Sequence, residues 1–231
     1  MSDKILDVKG LSGGYGDITI VRDVNFSIGK GEVVCLAGRN GVGKTTLMKL
    51  LSGALAPGKG HICLNGKDLS GLNAFERQQK QISHGLQEQS VFGGLTVRDN
   101  LSLTGKWGEN PLAHRLLEAF PIVEKRYDVQ AGKLSGGERK LVSFCRAIAE
   151  NGLITLLDEP TEGVQPENIE RMGEVILEQA KQGRGFFVAE QNLSLIEQIA
   201  DACWVMDHGE LKSFYPASHN LRHHVVRELV I

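Results

Sequence analysis

Little in this chain points to a membrane, a nucleic acid, or metal or disulfide chemistry. Its four cysteines (Cys35, Cys63, Cys145 and Cys203) are scattered, with no C-x-x-C pair, which argues against a zinc site or a disulfide framework. Cys35 and Cys63 lie in strand-like runs and read as small apolar core residues. The seven histidines, among them the adjacent His223 and His224, lack metal-ligand spacing. No apolar run approaches the ~20 residues that span a bilayer. Met1-Ser2-Asp3-Lys4-Ile5 has neither the charged nor the apolar region of a signal peptide. A net charge of −2 over 231 residues offers no electrostatic grip on nucleic acid or acidic lipid. Repeats, low-complexity tracts and heptad runs are also missing. The 41% hydrophobic and 23% charged composition suits a soluble globular protein with one main core and a subdomain. The expectation is a cytoplasmic protein with no nucleic-acid partner and no direct membrane insertion.

What is present centres on Gly38-Arg39-Asn40-Gly41-Val42-Gly43-Lys44-Thr45-Thr46, which fits G-x-x-x-x-G-K-[ST]. Val33 to Ala37 before it reads as a buried strand, and Leu47 to Ser52 after it as a helix stopped by Gly53. A glycine loop between strand and helix lets several backbone N–H groups converge on one phosphate at the positive end of the helix dipole. Lys44 adds a charge for the β- and γ-phosphates, and the Thr45 hydroxyl is a Mg²⁺ ligand candidate.

The remaining chain alternates strands and helices, the pattern of a mostly parallel α/β sheet. Ile5 to Val8 begins a strand, Gly13-Gly14-Tyr15-Gly16 reads as a turn, and Val24, Phe26 and Ile28 alternate as a half-buried strand does. His61 to Leu64 is a strand closed by Asn65-Gly66. Residues 73–81 are mostly polar and receive no element, and Ile82 to Leu86 is a weak strand. Thr96 is an N-cap for Val97 to Leu103, with Asp99 at N3. Leu112, Leu116, Leu117 and Phe120 keep helical spacing until Pro121. Two further buried strands, Leu153 to Leu157 and Gly185 to Ala189, are each followed by a helix, Pro166 to Lys181 and Leu193 to Ala200. Cys203 to Met206 and Glu210 to Phe214 form a closing hairpin. Two motifs stand out. Asp158 and Glu159 sit at the carboxyl end of a strand, where open α/β sheets bind ligands; Asp158 can hold Mg²⁺ through water, and Glu159 is a candidate general base. Ser135-Gly136-Gly137-Glu138 is both a capping box and a second anion-binding turn. Tyr15 either packs at a strand end or stacks on a base.

LSGGE at 134–138 followed by LLDEP at 156–160, with a phosphate loop upstream, resembles the ATP-binding-cassette (ABC) ATPases over nearly the whole chain. The resemblance implies an ABC-type nucleotide-binding domain in one unit, 1–231. Its mostly parallel RecA-like core sheet carries an N-terminal antiparallel β subdomain (1–90 and 146–231 together), and an α-helical subdomain is inserted at 91–145. It also implies two cassettes head to tail, homo- or heterodimeric. Each ATP then lies between one phosphate loop and the partner's Ser135, Gly136, Gly137 and Glu138. Tyr15 matches the adenine-stacking aromatic. Gln87 matches the glutamine that touches Mg²⁺ and reports to two transmembrane permease subunits, which would hold the chain on the inner face of the cell membrane. Two positions depart from the family. Gln191 stands where a histidine usually contacts the γ-phosphate, and Gln165 where an aspartate is usual; an amide can hydrogen-bond but cannot carry charge. Glu190-Gln191-Asn192, Glu162-Gly163-Val164-Gln165-Pro166 and the phosphate loop together resemble the branch that takes up branched-chain amino acids, urea and short amides. A soluble, non-transport cassette ATPase and a catalytically weak regulatory cassette remain as alternatives.

Overall fold

The computed structural model describes residues 4–85, 91–103, 105, 107–150, 152–218 and 220–230. It begins with two long strands, β1 (Lys4–Tyr15) and β2 (Ile18–Gly29), paired antiparallel. Then come β3 (Val33–Ala37), α1 (Lys44–Ser52), β4 (Lys59–Leu64) and the two-residue β5 (Lys67–Asp68). α2 (Ala74–Gln79), β6 (Ile82–Gly85), α3 (Val97–Leu101), α4 (Pro111–Ala119), α5 (Pro121–Lys125) and α6 (Gly136–Ala149) follow. The chain closes with β7 (Ile154–Asp158), α7 (Pro166–Lys181), β8 (Gly185–Ala189), α8 (Leu193–Ile199), β9 (Ala202–Asp207), β10 (Glu210–Pro216) and α9 (Leu221–Val230). The strands form two sheets, β2-β1-β4-β5, and β10-β9-β3-β8-β7-β6, the latter parallel except for the β9/β10 hairpin.

The central strands are apolar on both faces because each face meets a different layer. Val33, Cys35, Ala37, Phe186 and Val188 share one core with α6, α7 and α8, and that core runs on into α3, α4 and α5. Val34, Leu36, Leu156, Phe187 and Ala189 face the other way, onto α1 and the antiparallel sheet. A period of two thus assigns alternate residues to separate cores. α6 crosses position 145 without a break, and so ties the helical stretch to the sheet.

Three local readings change on folding. Gly13, Gly14 and Tyr15 belong to β1, and the turn is Gly16-Asp17. A Cβ on Gly14 would fall 1.9 Å from the Ile18 carbonyl oxygen, so this glycine marks close strand approach rather than a reversal. The polar stretch 73–81 contains α2, set by a reciprocal Asn73/Glu76 capping box. Its anchor is Arg77, fully buried, which donates to the carbonyls of Leu50 and Leu51 at the C-terminus of α1 (2.6 and 2.9 Å) and to those of Leu72 and Ser70. An arginine satisfying orphan carbonyls leaves no apolar periodicity to read. α3 ends at Leu101, two residues early, while its Thr96/Asp99 capping box forms as the sequence indicates.

Candidate active site

The site forms where β3 delivers the chain to α1. Gly43 is the N-cap of α1 at φ 114°, and no side chain caps that end. The first N–H groups of a helix lack intrahelical acceptors, so an uncapped start leaves them facing a ligand. Gly41 (φ 81°) and Gly43 supply left-handed backbone that a side chain would strain. A Cβ on Gly38 would lie 2.7 Å from the Met206 carbonyl oxygen, and the Val42 carbonyl accepts from Gly209 N at 2.8 Å. The loop is therefore pinned to the β9–β10 turn from behind. Lys44 curls back under it, donating to the carbonyls of Gly38 (2.8 Å) and Arg39 (3.0 Å).

Opposite the loop stands the end of β7. Glu159 has φ 46°, an unusual left-handed setting for a residue with a Cβ. Its backbone is held at both ends: its N–H donates to Ala189 O (2.8 Å), and its carbonyl accepts from Lys140 Nζ (3.0 Å). Its side chain reaches Lys44, with Oε1 3.3 Å from Nζ, both groups nearly buried. Gln191 closes the circle, its Nε2 donating to Glu159 Oε1 (2.8 Å) and to Asn40 Oδ1 (2.5 Å). Asn40, Gly41, Gly43, Lys44, Thr45, Thr46 and Glu159 line one hollow of about 350 Å³, joined by Ile20 and Glu162.

Asp158 lies behind this group, 2% exposed. Burial pushes its carboxyl up to about 6; the Thr45 hydroxyl bonded to it pulls the other way, Glu159 adds to the rise, and Lys140 and Lys44 oppose it. Its Oδ1 is buried with no hydrogen-bond partner. A partnerless carboxylate oxygen beside a threonine hydroxyl is a hard-oxygen pair that fits Mg²⁺. Gln87, the third ligand named from the sequence, lies outside the described residues. Tyr15 does not line the hollow; it is 45% exposed, and its hydroxyl accepts from Lys49 Nζ at 3.3 Å.

The signature turn has its own setting. Ser135 caps α6, accepting from Glu138 N (3.2 Å) while Glu138 Oε2 accepts from Ser135 N (2.8 Å). Arg126 also donates to Glu138 (3.1 Å); the hydrogen bond from Ser135 N, ahead of the arginine, holds that carboxyl below its usual range. Ser135, Gly137 and Glu138 border a second hollow of about 450 Å³ with Gly163, Val164, Gln165 and Asn168. Gly136 faces open space, whereas a Cβ on Gly137 would sit 2.4 Å from Gly163 O. The two hollows share no lining residue.

Four residues around the site were not singled out from the sequence. Ile20 carried a faint signal, since Ile18 and Ile20 alternate. Thr161 and Lys140 carried none, because a polar residue near a motif resembles any solvated one, and Glu162 was legible only as part of the run 162–166, not as a residue lining the hollow.

Comparison with known proteins agrees with this geometry. The family model described as ABC transporter matches residues 21–162. The high-affinity branched-chain amino acid transport ATP-binding protein BraG of Pseudomonas aeruginosa is 34% identical over 201 residues, 85% of this chain and 86% of BraG. The lipopolysaccharide export system ATP-binding protein LptB of Haemophilus influenzae is 32% identical over 215 residues, 90% of this chain and 88% of LptB. The crystal structure of the ADP conformation of MJ1267, an ATP-binding cassette of an ABC transporter, superposes with a TM-score of 0.77 at 29% identity, covering 97% of each chain. Among the described residues no helix is long and apolar enough to cross a membrane. With its phosphate loop, its acidic strand end and its signature turn held in this cassette fold, the chain belongs to the ABC transporter family and is one of its ATPases.

Proposed function

We propose that this chain powers an importer for branched-chain amino acids, urea or short amides, acting as one of two paired cassettes beneath two transmembrane permease subunits. The observation that carries the catalytic part is the meeting of Lys44, Glu159 and Asn40 around one hollow at the start of α1, with Gln191 bonded to both Glu159 and Asn40.

In this reading the residues Gly38, Arg39, Asn40, Gly41, Val42, Gly43, Lys44, Thr45 and Thr46 wrap the ATP phosphates, with Lys44 on the β- and γ-phosphates. Lys44 must leave Glu159 to do so, and that releases the carboxylate to take a proton from the attacking water. Gln191 holds Glu159 and contacts the γ-phosphate as a neutral donor. Tyr15 stacks on adenine. Thr45, Asp158 and Gln87 would hold Mg²⁺, which when bound neutralises charge developing on the phosphate oxygens. Ser135, Gly136, Gly137 and Glu138 complete the site of the partner cassette. That the two hollows share no residue supports a nucleotide that takes one turn from each of two chains. Residues 91–145 form the subdomain that docks on the permeases, and 1–90 with 146–231 the catalytic core. Exposed Phe92, Leu95 and Leu103 support that docking. The permeases keep the chain at the inner face of the membrane.

The import reading rests on the likeness to BraG and on Glu190-Gln191-Asn192, Glu162-Gly163-Val164-Gln165-Pro166 and the phosphate loop Gly38 to Thr45 together. The likeness to LptB favours a second reading, an export ATPase. Identifying the membrane subunits that co-purify with the chain, and the solute that stimulates hydrolysis once they are reconstituted, separates the two. For the catalytic step, Glu159→Gln retains ATP binding, slows hydrolysis about 100-fold or more, and accumulates the closed dimer by size-exclusion chromatography. Wild-type turnover in that variant removes Glu159 from the role of base.

A further inference from the structure

One buried acid beside the site has no part in the chemistry above. Glu190, 3% exposed, follows β8 and precedes Gln191. Both of its oxygens are occupied, and each serves a different loop. Oε1 accepts from the backbone N–H groups of Gln191 (2.7 Å) and Asn192 (2.9 Å). Oε2 accepts from the Thr161 hydroxyl (2.8 Å) and the Thr161 N–H (3.3 Å). Its own N–H donates to Leu36 O on β3 (3.1 Å). One carboxyl group thus ties the loop after β7, which carries Glu159, to the loop after β8, which carries Gln191, from a base anchored on the strand before the phosphate loop.

We infer that Glu190 is a positioning residue for hydrolysis, fixing the Gln191 backbone at the point from which its amide meets both Glu159 and Asn40. The inference rests on the catalytic reading proposed above for Glu159 and Gln191. Three of the four donors are backbone N–H groups that cannot reverse, so an amide at this position cannot satisfy both ends. In Glu190→Gln the carbonyl stays with one loop, and the NH₂ faces the other, where only the Thr161 hydroxyl can accept. At least one buried N–H loses its partner, and its loop relaxes. Glu190 does not line the hollow that Lys44 lines, so nucleotide affinity is spared.

Steady-state ATPase of the purified full-length chain with Mg-ATP tests this in a double-mutant cycle over wild type, Glu190→Gln, Gln191→Ala and the pair. Glu190→Gln is expected to lower kcat about tenfold with KM for ATP changed less than about twofold. In the Gln191→Ala background the same change is expected to cost less than about twofold, because there is no amide left to place. Thr161→Val, which keeps the shape and removes one donor, provides the same readout should Glu190→Gln fold poorly. An undiminished kcat, a loss that appears in KM, or the same tenfold loss with Gln191 already removed overturns the inference. Glu159→Gln in the same assay separates the two levels. If it stalls hydrolysis while the Glu190 cycle is additive, only the positioning role falls; if it turns over normally, the catalytic reading falls first.

Discussion

The molecule has two turns in which glycines open a helix, and they differ in what occupies the helix start. At α1 the N-cap is Gly43, left-handed and without a side-chain cap, and the adjoining lysine is folded beneath the loop. At α6 the N-cap is Ser135, which with Glu138 satisfies two orphan donors inside the chain. The first turn leaves its helix-start donors without a side-chain cap, while the second satisfies two of its own within the chain. The same contrast holds behind them. α1 sits against an acid with a partnerless oxygen, Asp158, whereas α6 starts against the plain backbone of Gly163. Unmet hydrogen bonds mark the first turn and a closed local network marks the second; in the function proposed above, the first grips a nucleotide and the second presents to one.

Substitutions can press on that difference. Lys44→Ala should weaken ATP binding to the isolated chain about 100-fold or more, since a charge-assisted contact to two phosphates is lost. Isothermal titration calorimetry reads this directly, and unchanged affinity would mean that the α1 turn is not the grip. Gly137→Ala should cost about 2–3 kcal/mol in denaturant unfolding through overlap with Gly163 O, while Gly136→Ala, facing open space, costs about 0.5 kcal/mol or less. Equal costs would contradict the packing described for the second turn.

Asp158 gives a change of opposite sign. Its carboxyl is raised to about 6 in the folded chain, from an ordinary 3.8. The folded state therefore binds the proton more tightly, and this group's contribution to stability falls as pH rises from about 4 through 6. Asp158→Asn should stabilise the nucleotide-free chain at pH 7 by about 1–2 kcal/mol, and should flatten that part of the pH–stability curve while hydrolysis is lost. A lower melting temperature at pH 7 would show that the carboxylate is better compensated than its orphaned oxygen indicates. Ser135→Ala has a smaller effect than Gly137→Ala, about 1 kcal/mol from the lost cap. The isolated chain's ATP affinity should stay unchanged by calorimetry, whereas turnover of the paired cassettes drops.

What could be read beforehand follows from the same physics. The buried strands β3, β7 and β8 and the capped helices α3 and α6 announce themselves, because apolar runs and capping residues act locally. The sequence pattern also places Lys44, Asp158 and Glu159 at the ends of elements, where the sheet brings them together. It could not show α2, whose hold on the fold is the buried Arg77. Nor could it show that Gly14 sits where two strands crowd, since a glycine in a turn and one in a tight pair look alike in one dimension. Lys140, and the bridging role of Glu190, stayed hidden for a related reason. Each acts on a loop brought near only by the sheet order, β3 beside β8 beside β7.

The short peptide after Glu159 has one further implication. Glu162 borders the hollow of the phosphate loop, and the next residue, Gly163, borders that of the signature turn. Neighbouring residues on one strand of backbone therefore form a party wall between two rooms. In the two-cassette reading proposed above, any displacement of this short peptide is therefore felt in both rooms at once.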